Sequence, residues 1–180
     1  MTREQFLVWE EHREMRYEFD GFQPIAMTGG TAAHAIIQHN LHRIIGARPS
    51  GSPCRFFGSD LKIETANGFR YPDGFVTCSP VSGSDTVGRE PVVIFEILSD
   101  STARTDLVTK NHEYSAIPSV RRYVVLSQDE VAGSMFERAG GDWIGHLLRA
   151  DSALRMPEIG IELPGAELYQ GVDFTAAHAQ

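Results

Sequence analysis

Pro91-Val92-Val93-Ile94-Phe95-Glu96-Ile97-Leu98 is the most apolar run of the chain, rich in β-branched residues and broken by one carboxylate. Such a run predicts a central strand covered on both faces. Glu96 then needs an explanation, because a desolvated carboxylate must find a cation or a proton. Downstream, Ser99 and Ser101 are natural N-caps for a helix over about 102–114, closed by Pro118, and 122–126 reads as another strand. Residues 131–138 and 143–148 form a hairpin around Gly140-Gly141, and the tail from Asp151 reads as short edge strands.

Upstream, 56–64 and 69–76 are strand-like around the hairpin dipeptide Asn67-Gly68, and Pro72-Asp73 falls inside the second. Ile36, Ile37, Leu41, Ile44 and Ile45 recur at helical spacing over 31–47, after Gly29-Gly30 and before Gly46 and Pro49. Strands at 16–19, carrying Glu18, and 22–27 flank Asp20-Gly21, a turn dipeptide that tolerates positive φ. Thr2 with Gln5 three residues later is a capping-box pattern opening a short N-terminal helix. Strands dominate, with two long helices between them, so the class is α+β (α/β), a mixed sheet without regular βαβ alternation.

The 180 residues suffice for one domain with a real core, expected over 1–174 with 175–180 frayed. A formal net charge of −8 argues against an indiscriminate nucleic-acid coat protein, whose affinity grows with each phosphate neutralised, but leaves a nuclease open. Of the basic residues 14 are Arg and two, Lys62 and Lys110, are Lys, which makes each lysine worth inspecting. Cys54 and Cys78 form no CxxC pair; they suit a reducing compartment and read as two buried, inert thiols. With no signal peptide and no apolar run of membrane-spanning length, the expected location is the cytoplasm.

Two carboxylates on neighbouring strands, Asp73 and Glu96, are the minimal grip for Mg²⁺, which takes oxygen ligands and keeps several waters. The plainer reading pairs Glu96 with an arginine such as Arg122 and leaves Asp73 capping a turn. Two residues after Glu96 stands Leu98, so no Glu-x-Lys exists on the strand. Lys110 follows on the next helix, from which a side chain can return to the strand's end. Its plainer reading is a surface ion pair with Asp106 at i,i+4, worth about 0.3–0.5 kcal/mol. His34, His39 and His42 lack the HxxxH spacing of a zinc pair, and no GxSxG elbow or phosphate-loop motif is present.

Tyr17-Glu18-Phe19-Asp20-Gly21, His34, Tyr71-Pro72-Asp73, Phe95 to Ser99, Asp106 to Lys110, Tyr114 and 120–128 together resemble, in order, the Uma-two family, which is grouped with the restriction endonucleases of the PD-(D/E)xK nuclease superfamily. The resemblance extends to Glu162-Leu163-Pro164 and Gly171-Val172-Asp173-Phe174. It implies a restriction-endonuclease-like mixed β-sheet flanked by helices, with extra hairpins. It also implies a Mg²⁺ site on Asp73 and Glu96 (Mn²⁺ as substitute), catalytic Asp73, Glu96 and Lys110 with Glu18 and His34 in support, and a homodimer. Gly74 and Asp100 depart from the family pattern, and Gly74 is expected to loosen the strand holding Asp73.

The leading expectation is therefore a Mg²⁺-dependent endonuclease hydrolysing DNA phosphodiesters through an activated water. Arg43, Arg48, Arg55, Lys62 and Arg70 against Asp60 and Glu64 offer a local basic face for DNA. Two alternatives stand beside it: a nuclease-like fold kept as an interaction or regulatory module, and a hydrolase of a small phosphodiester or nucleotide.

Overall fold

The computed structural model of the chain describes residues 1–47, 52–98 and 103–174, with backbone alone at 103–106. In chain order the elements are α1 (Arg3–Glu10), β1 (Tyr17–Phe19), β2 (Pro24–Ala26), α2 (Ala32–Gly46), β3 (Arg55–Gly58), β4 (Lys62–Glu64), β5 (Phe69–Arg70) and β6 (Gly74–Thr77). They continue with β7 (Val87–Gly88), β8 (Pro91–Leu98), α3 (Ala103–Ser115), β9 (Arg122–Ser127), β10 (Ala132–Ala139), β11 (Asp142–Arg149), β12 (Ala153–Met156) and β13 (Ile161–Pro164). Ser99 and Ser101, expected as caps, and 175–180, expected to fray, lie outside the described residues.

The expected central strand is β8, third from one end of a six-stranded sheet ordered β11-β10-β9-β8-β6-β3. All neighbours are antiparallel except β8 and β9, which α3 links as a parallel crossover, a βαβ unit inside the mixed sheet. Period-two alternation divides β8 between two cores. Val93, Phe95 and Ile97 pack with Ile37, Leu41 and Ile45 of α2 and with the C-terminal residues Leu154, Ile159 and Leu168. Ile94 faces the other way, among Phe75, Tyr114, Val120 and Tyr123. Glu96 shares that second face, so the α3 crossover lays its own side chains over it.

The stretch 56–76 departs from the single hairpin expected of it. Its outer parts, β3 and β6, pair in the large sheet, while β4 and β5 turn away into a second sheet ordered β2-β1-β5-β4-β7. Tyr71-Pro72-Asp73 is the tripeptide that crosses from one sheet to the other. Proline cannot donate to a ladder, and its position in a link between sheets satisfies that limit. α1, opened by the expected capping box between Thr2 and Gln5, buries Phe6 against Phe19 and Phe69 of the second sheet.

Two further expectations are corrected. Cys54 and Cys78, flanking the paired ends of β3 and β6, are joined as a disulfide and are not separate thiols. The Arg55↔Thr77 ladder pair puts the two cysteines directly opposite one another. Gly74 does not loosen its strand: it pairs with both Phe95 and Gly58, and the Phe56 ring lies where its Cβ would be, 2.4 Å from that position. Among the described residues no helix is long and apolar enough to cross a membrane.

Candidate active site

The ladder between β6 and β8 ends at Gly74↔Phe95, and one step further its register sets Asp73 opposite Glu96. The Ile97 N–H donates to Asp73 Oδ2 at 2.7 Å, closing that junction. On α3, Lys110 and Tyr114 are i,i+4 neighbours, so both side chains descend on the same strand position. Lys110 Nζ donates to Glu96 Oε1 at 3.1 Å and the Tyr114 hydroxyl to the same oxygen at 2.7 Å. Lys110 therefore faces inward, with 16% of its side chain exposed; the side chain of Asp106, its other candidate partner, lies outside the described residues.

β1 brings Glu18 from the second sheet. Its Oε1 accepts from the Tyr71 N–H at 3.1 Å and lies 3.7 Å from Lys110 Nζ, while its Oε2 accepts from Arg70 at 3.2 Å. Arg70 also grips Glu113 of α3 with two bonds of 2.7 Å, the bidentate geometry suited to a buried guanidinium. From the opposite side α2 presents His34 and Gln38, again one helical turn apart. His34 Nε2 lies 3.1 Å from Asp73 Oδ1, and Gln38 Nε2 donates to the Asp73 carbonyl at 3.1 Å and to Ser59. Glu18, His34, Asp73, Glu96 and Lys110 thus all line one cleft of about 930 Å³.

Arg122, the arginine expected to neutralise Glu96, is engaged by Glu137 and Glu158 instead. Of the basic residues grouped over 43–70, Lys62 is buried against Glu10 at 2.7 Å and Arg70 is taken up by Glu18 and Glu113, whereas Arg43, bonded to Gln170, and Arg55 are exposed and Arg48 lies outside the described residues. Sequence reasoning gave no role to Gln38 or Glu113, placed Arg70 on a basic surface and not in the cleft's support, and used Tyr114 only as part of a family pattern. The i,i+4 pairs His34/Gln38 and Lys110/Tyr114 were the available signal.

Burial pushes the Glu96 carboxyl up to about 7; Asp73 and Glu18 push the same way, while Lys110 and the Tyr114 hydrogen bond oppose it. Burial also works against the charge on Lys110, but Glu96 and Glu18 outweigh it and hold that amine above its usual range. The lysine is the permanent charge of the pair and the glutamate is the member that titrates. His34 is raised by its bond to Asp73, against the effect of burial.

No three His, Cys, Asp or Glu side chains converge tightly enough among the described residues to enclose a metal. The donor chemistry nonetheless fits a hard divalent cation held by one or two carboxylates and its own waters. Glu96 Oε2 accepts no hydrogen bond among the described residues, and Asp73 retains lone pairs beyond the two contacts it makes. Four carboxylates, Glu18, Asp73, Glu96 and Glu113, face Lys110, Arg70 and His34, so with Glu96 ionised the carboxylates outnumber the cations, a surplus that a divalent ion would offset.

The family model Uma2, described as "Putative restriction endonuclease", matches residues 3–166. An uncharacterised protein of Synechocystis sp. (strain PCC 6803), slr1290, is 30% identical over 178 residues, covering 97% of this chain and 94% of the relative. A second from the same organism, sll1609, is 27% identical over 133 residues, covering 71% and 75%. Among solved structures, one from Anabaena variabilis titled "putative nuclease belonging to DUF820" superposes with a TM-score of 0.73 at 19% identity, over 94% of this chain and 97% of that one. At that identity the likeness speaks for a shared fold. The family match takes in every described residue that lines the cleft, from Glu14 to Gln128, and the chain belongs to the Uma2 family.

Proposed function

We propose that this protein is a metal-dependent phosphodiesterase acting on DNA, with Asp73 and Glu96 as metal ligands and Lys110 as the catalytic cation. The observation that carries this reading is the placement of Lys110: an amine delivered by a helix to within 3.1 Å of a buried strand glutamate, where a nuclease with Glu-x-Lys would have it on the strand. A Mg²⁺ or Mn²⁺ ion held at Asp73 and Glu96 supplies Lewis-acid polarisation of a phosphoryl oxygen and acidifies a water. Lys110, charged throughout the working pH range, orients the attacking water and stabilises charge building on the phosphoryl oxygens. Ile97 N–H and His34 hold the Asp73 carboxylate from two sides, and Gln38 anchors its main chain. Tyr114 and Lys110 together fix Glu96 through one oxygen and leave the other turned to the ligand.

Cleavage of DNA by the purified protein with Mg²⁺ or Mn²⁺, lost by at least about a hundredfold in Glu96→Ala, Asp73→Ala and Lys110→Ala, is the expected result. Failure of the wild-type chain to cut any nucleic acid that Glu96→Ala leaves intact removes the reading. A second reading, a nuclease fold retained as an interaction or regulatory module, is favoured by one observation: both Asp73 oxygens already have partners inside the protein. Titration calorimetry separates the two, since Mn²⁺ binding abolished by Asp73→Ala belongs to the first reading alone.

A further inference from the structure

The parallel strands β8 and β9 end side by side at Leu98↔Ser127, and the crevice of a sheet lies beyond the carboxyl ends of such strands. Gln128 is the next residue there. It is only 7% exposed, yet it lines the cleft. The Thr31 hydroxyl donates to its Oε1 at 2.8 Å, and Thr31 also caps α2 by accepting the His34 N–H at 3.2 Å. With Oε1 taken, the amide is oriented, and the two N–H bonds of Nε2 reach no acceptor among the described residues. Nε2 is not sealed in the core, so these bonds open on the cleft. A side chain this buried, with its donors unused, calls for an acceptor from outside the protein.

The loop that leads into α2 adds donors of the same kind. The N–H groups of Gly29, Gly30 and Thr31, all part of the lining, have no acceptor among the described residues, and they precede the positive end of a 15-residue helix. A Cβ on Gly29 would meet nothing within 4 Å, so a ligand has room beside this loop. Glu14, Glu18, Asp73 and Glu96 make the cleft acidic, and its cations are already captured: Lys110 by Glu96 and Glu18, His34 by Asp73, Arg16 by Asp60. A lysine or arginine in place of Gln128 would be drawn into the same pairing. Neutral N–H donors escape that capture and stay available to an anion.

We propose that Gln128 Nε2 and the N–H groups of Gly29, Gly30 and Thr31 form a phosphoryl subsite beside the metal site, holding the substrate phosphate next to the one that is cleaved. Thr31 and His34 lie three residues apart on α2, so the subsite stands about 4.5 Å of helix rise from the histidine that holds Asp73. Gln128 Oε1 and the Thr31 hydroxyl satisfy one another, so what faces the ligand only donates. A phosphoryl oxygen only accepts, and backbone N–H groups ahead of a helix suit it. The reacting phosphate rests on the phosphodiesterase reading, whereas the subsite rests on Gln128. Its phosphoryl group comes from the next link of a strand or from the second phosphate of a small nucleotide, the same chemistry in either case.

Titration calorimetry on the full chain, with Ca²⁺ in place of Mg²⁺, tests it with the thymidine dinucleotide TpT and its forms carrying a further phosphate at the 5′ or the 3′ end. One phosphorylated form is expected to bind about tenfold tighter than TpT. Gln128→Glu keeps an oxygen for the Thr31 hydroxyl but sets a negative charge where Nε2 stood, so it should erase that gain, and Gln128→Met should remove most of it. The quantity read is the ratio of the two affinities within each variant, with folding checked by circular dichroism. Equal affinity of the wild type for all three dinucleotides, or a gain that survives Gln128→Glu, overturns the proposal. Thymidine 3′,5′-bisphosphate separates the sources: binding as tight as the best dinucleotide and lost in Gln128→Glu assigns the subsite to small nucleotides, and binding about tenfold weaker assigns it to a strand. A gain without cleavage of any nucleic acid sinks the phosphodiesterase reading and leaves the subsite standing. Cleavage with no gain does the reverse.

Discussion

At Glu96, burial and two neighbouring carboxylates act in one direction and Lys110 in the other. The folded carboxyl, near 7, lies above its usual 4.5, so the native state holds that proton more tightly than the unfolded chain. Its contribution to stability is full below pH 4.5 and is lost as pH rises through 7. In chelator-treated protein, Glu96→Gln should therefore flatten the decline of urea stability between about pH 5 and 8, by up to about 3 kcal/mol relative to wild type. Lys110→Met removes the only amine touching that carboxylate among the described residues. It should cost about 3–5 kcal/mol in the same assay at neutral pH, with part of the loss recovered on acidification as Glu96 takes a proton.

The elements that carry the site are held by contacts outside it. Glu10 at the end of α1, Lys62 of β4 and Tyr71 form a buried network with bonds of 2.7 and 2.8 Å to Glu10. Tyr71 is also the residue whose N–H holds Glu18 and whose chain leads to Asp73. Lys62→Met leaves Glu10 buried without its cation and should lower stability by about 3–5 kcal/mol, read as a shift in urea midpoint. The turns Asp20-Gly21 and Asn67-Gly68 abut, and a Cβ at Gly68 would stand 1.8 Å from the Phe19 carbonyl oxygen. Gly68→Ala must therefore separate β1 from β5. A lowered melting temperature with weaker Mn²⁺ binding is the expected outcome, because β1 positions Glu18.

For the molecule as a whole, the Cys54–Cys78 bridge closes a loop with a sequence separation of 24 that contains β4 and β5 of the second sheet and Asp73 itself. By chain entropy such a closure stabilises by about 3 kcal/mol, so dithiothreitol should lower the melting temperature of the wild type and leave a Cys54→Ser/Cys78→Ser double variant unchanged. Mass spectrometry after alkylation without reductant should find no free thiol. The charge of −8 also has a clearer meaning at this scale. Part of it is the carboxylate surplus of the cleft, and three of the basic residues, Lys62, Arg70 and Arg122, are spent on buried ion pairs.

The sequence by itself determined the α+β class, the central strand at 91–98, both long helices and the terminal hairpin, because apolar periodicity and turn dipeptides act locally and are unambiguous there. It also named Asp73, Glu96 and Lys110 as the residues to compare, from one misplaced carboxylate and a scarce lysine. Tertiary structure alone decided that 56–76 divides between two sheets, since a hairpin signal specifies a turn and not the sheet its outer ends join. It decided the partners of every buried charge: Lys110 and not Arg122 for Glu96, Glu10 for Lys62, Glu18 and Glu113 for Arg70. It also joined two cysteines that sequence spacing left apart. Ion pairs and disulfides depend on which strands become neighbours across tens of residues, and only chain topology settles that.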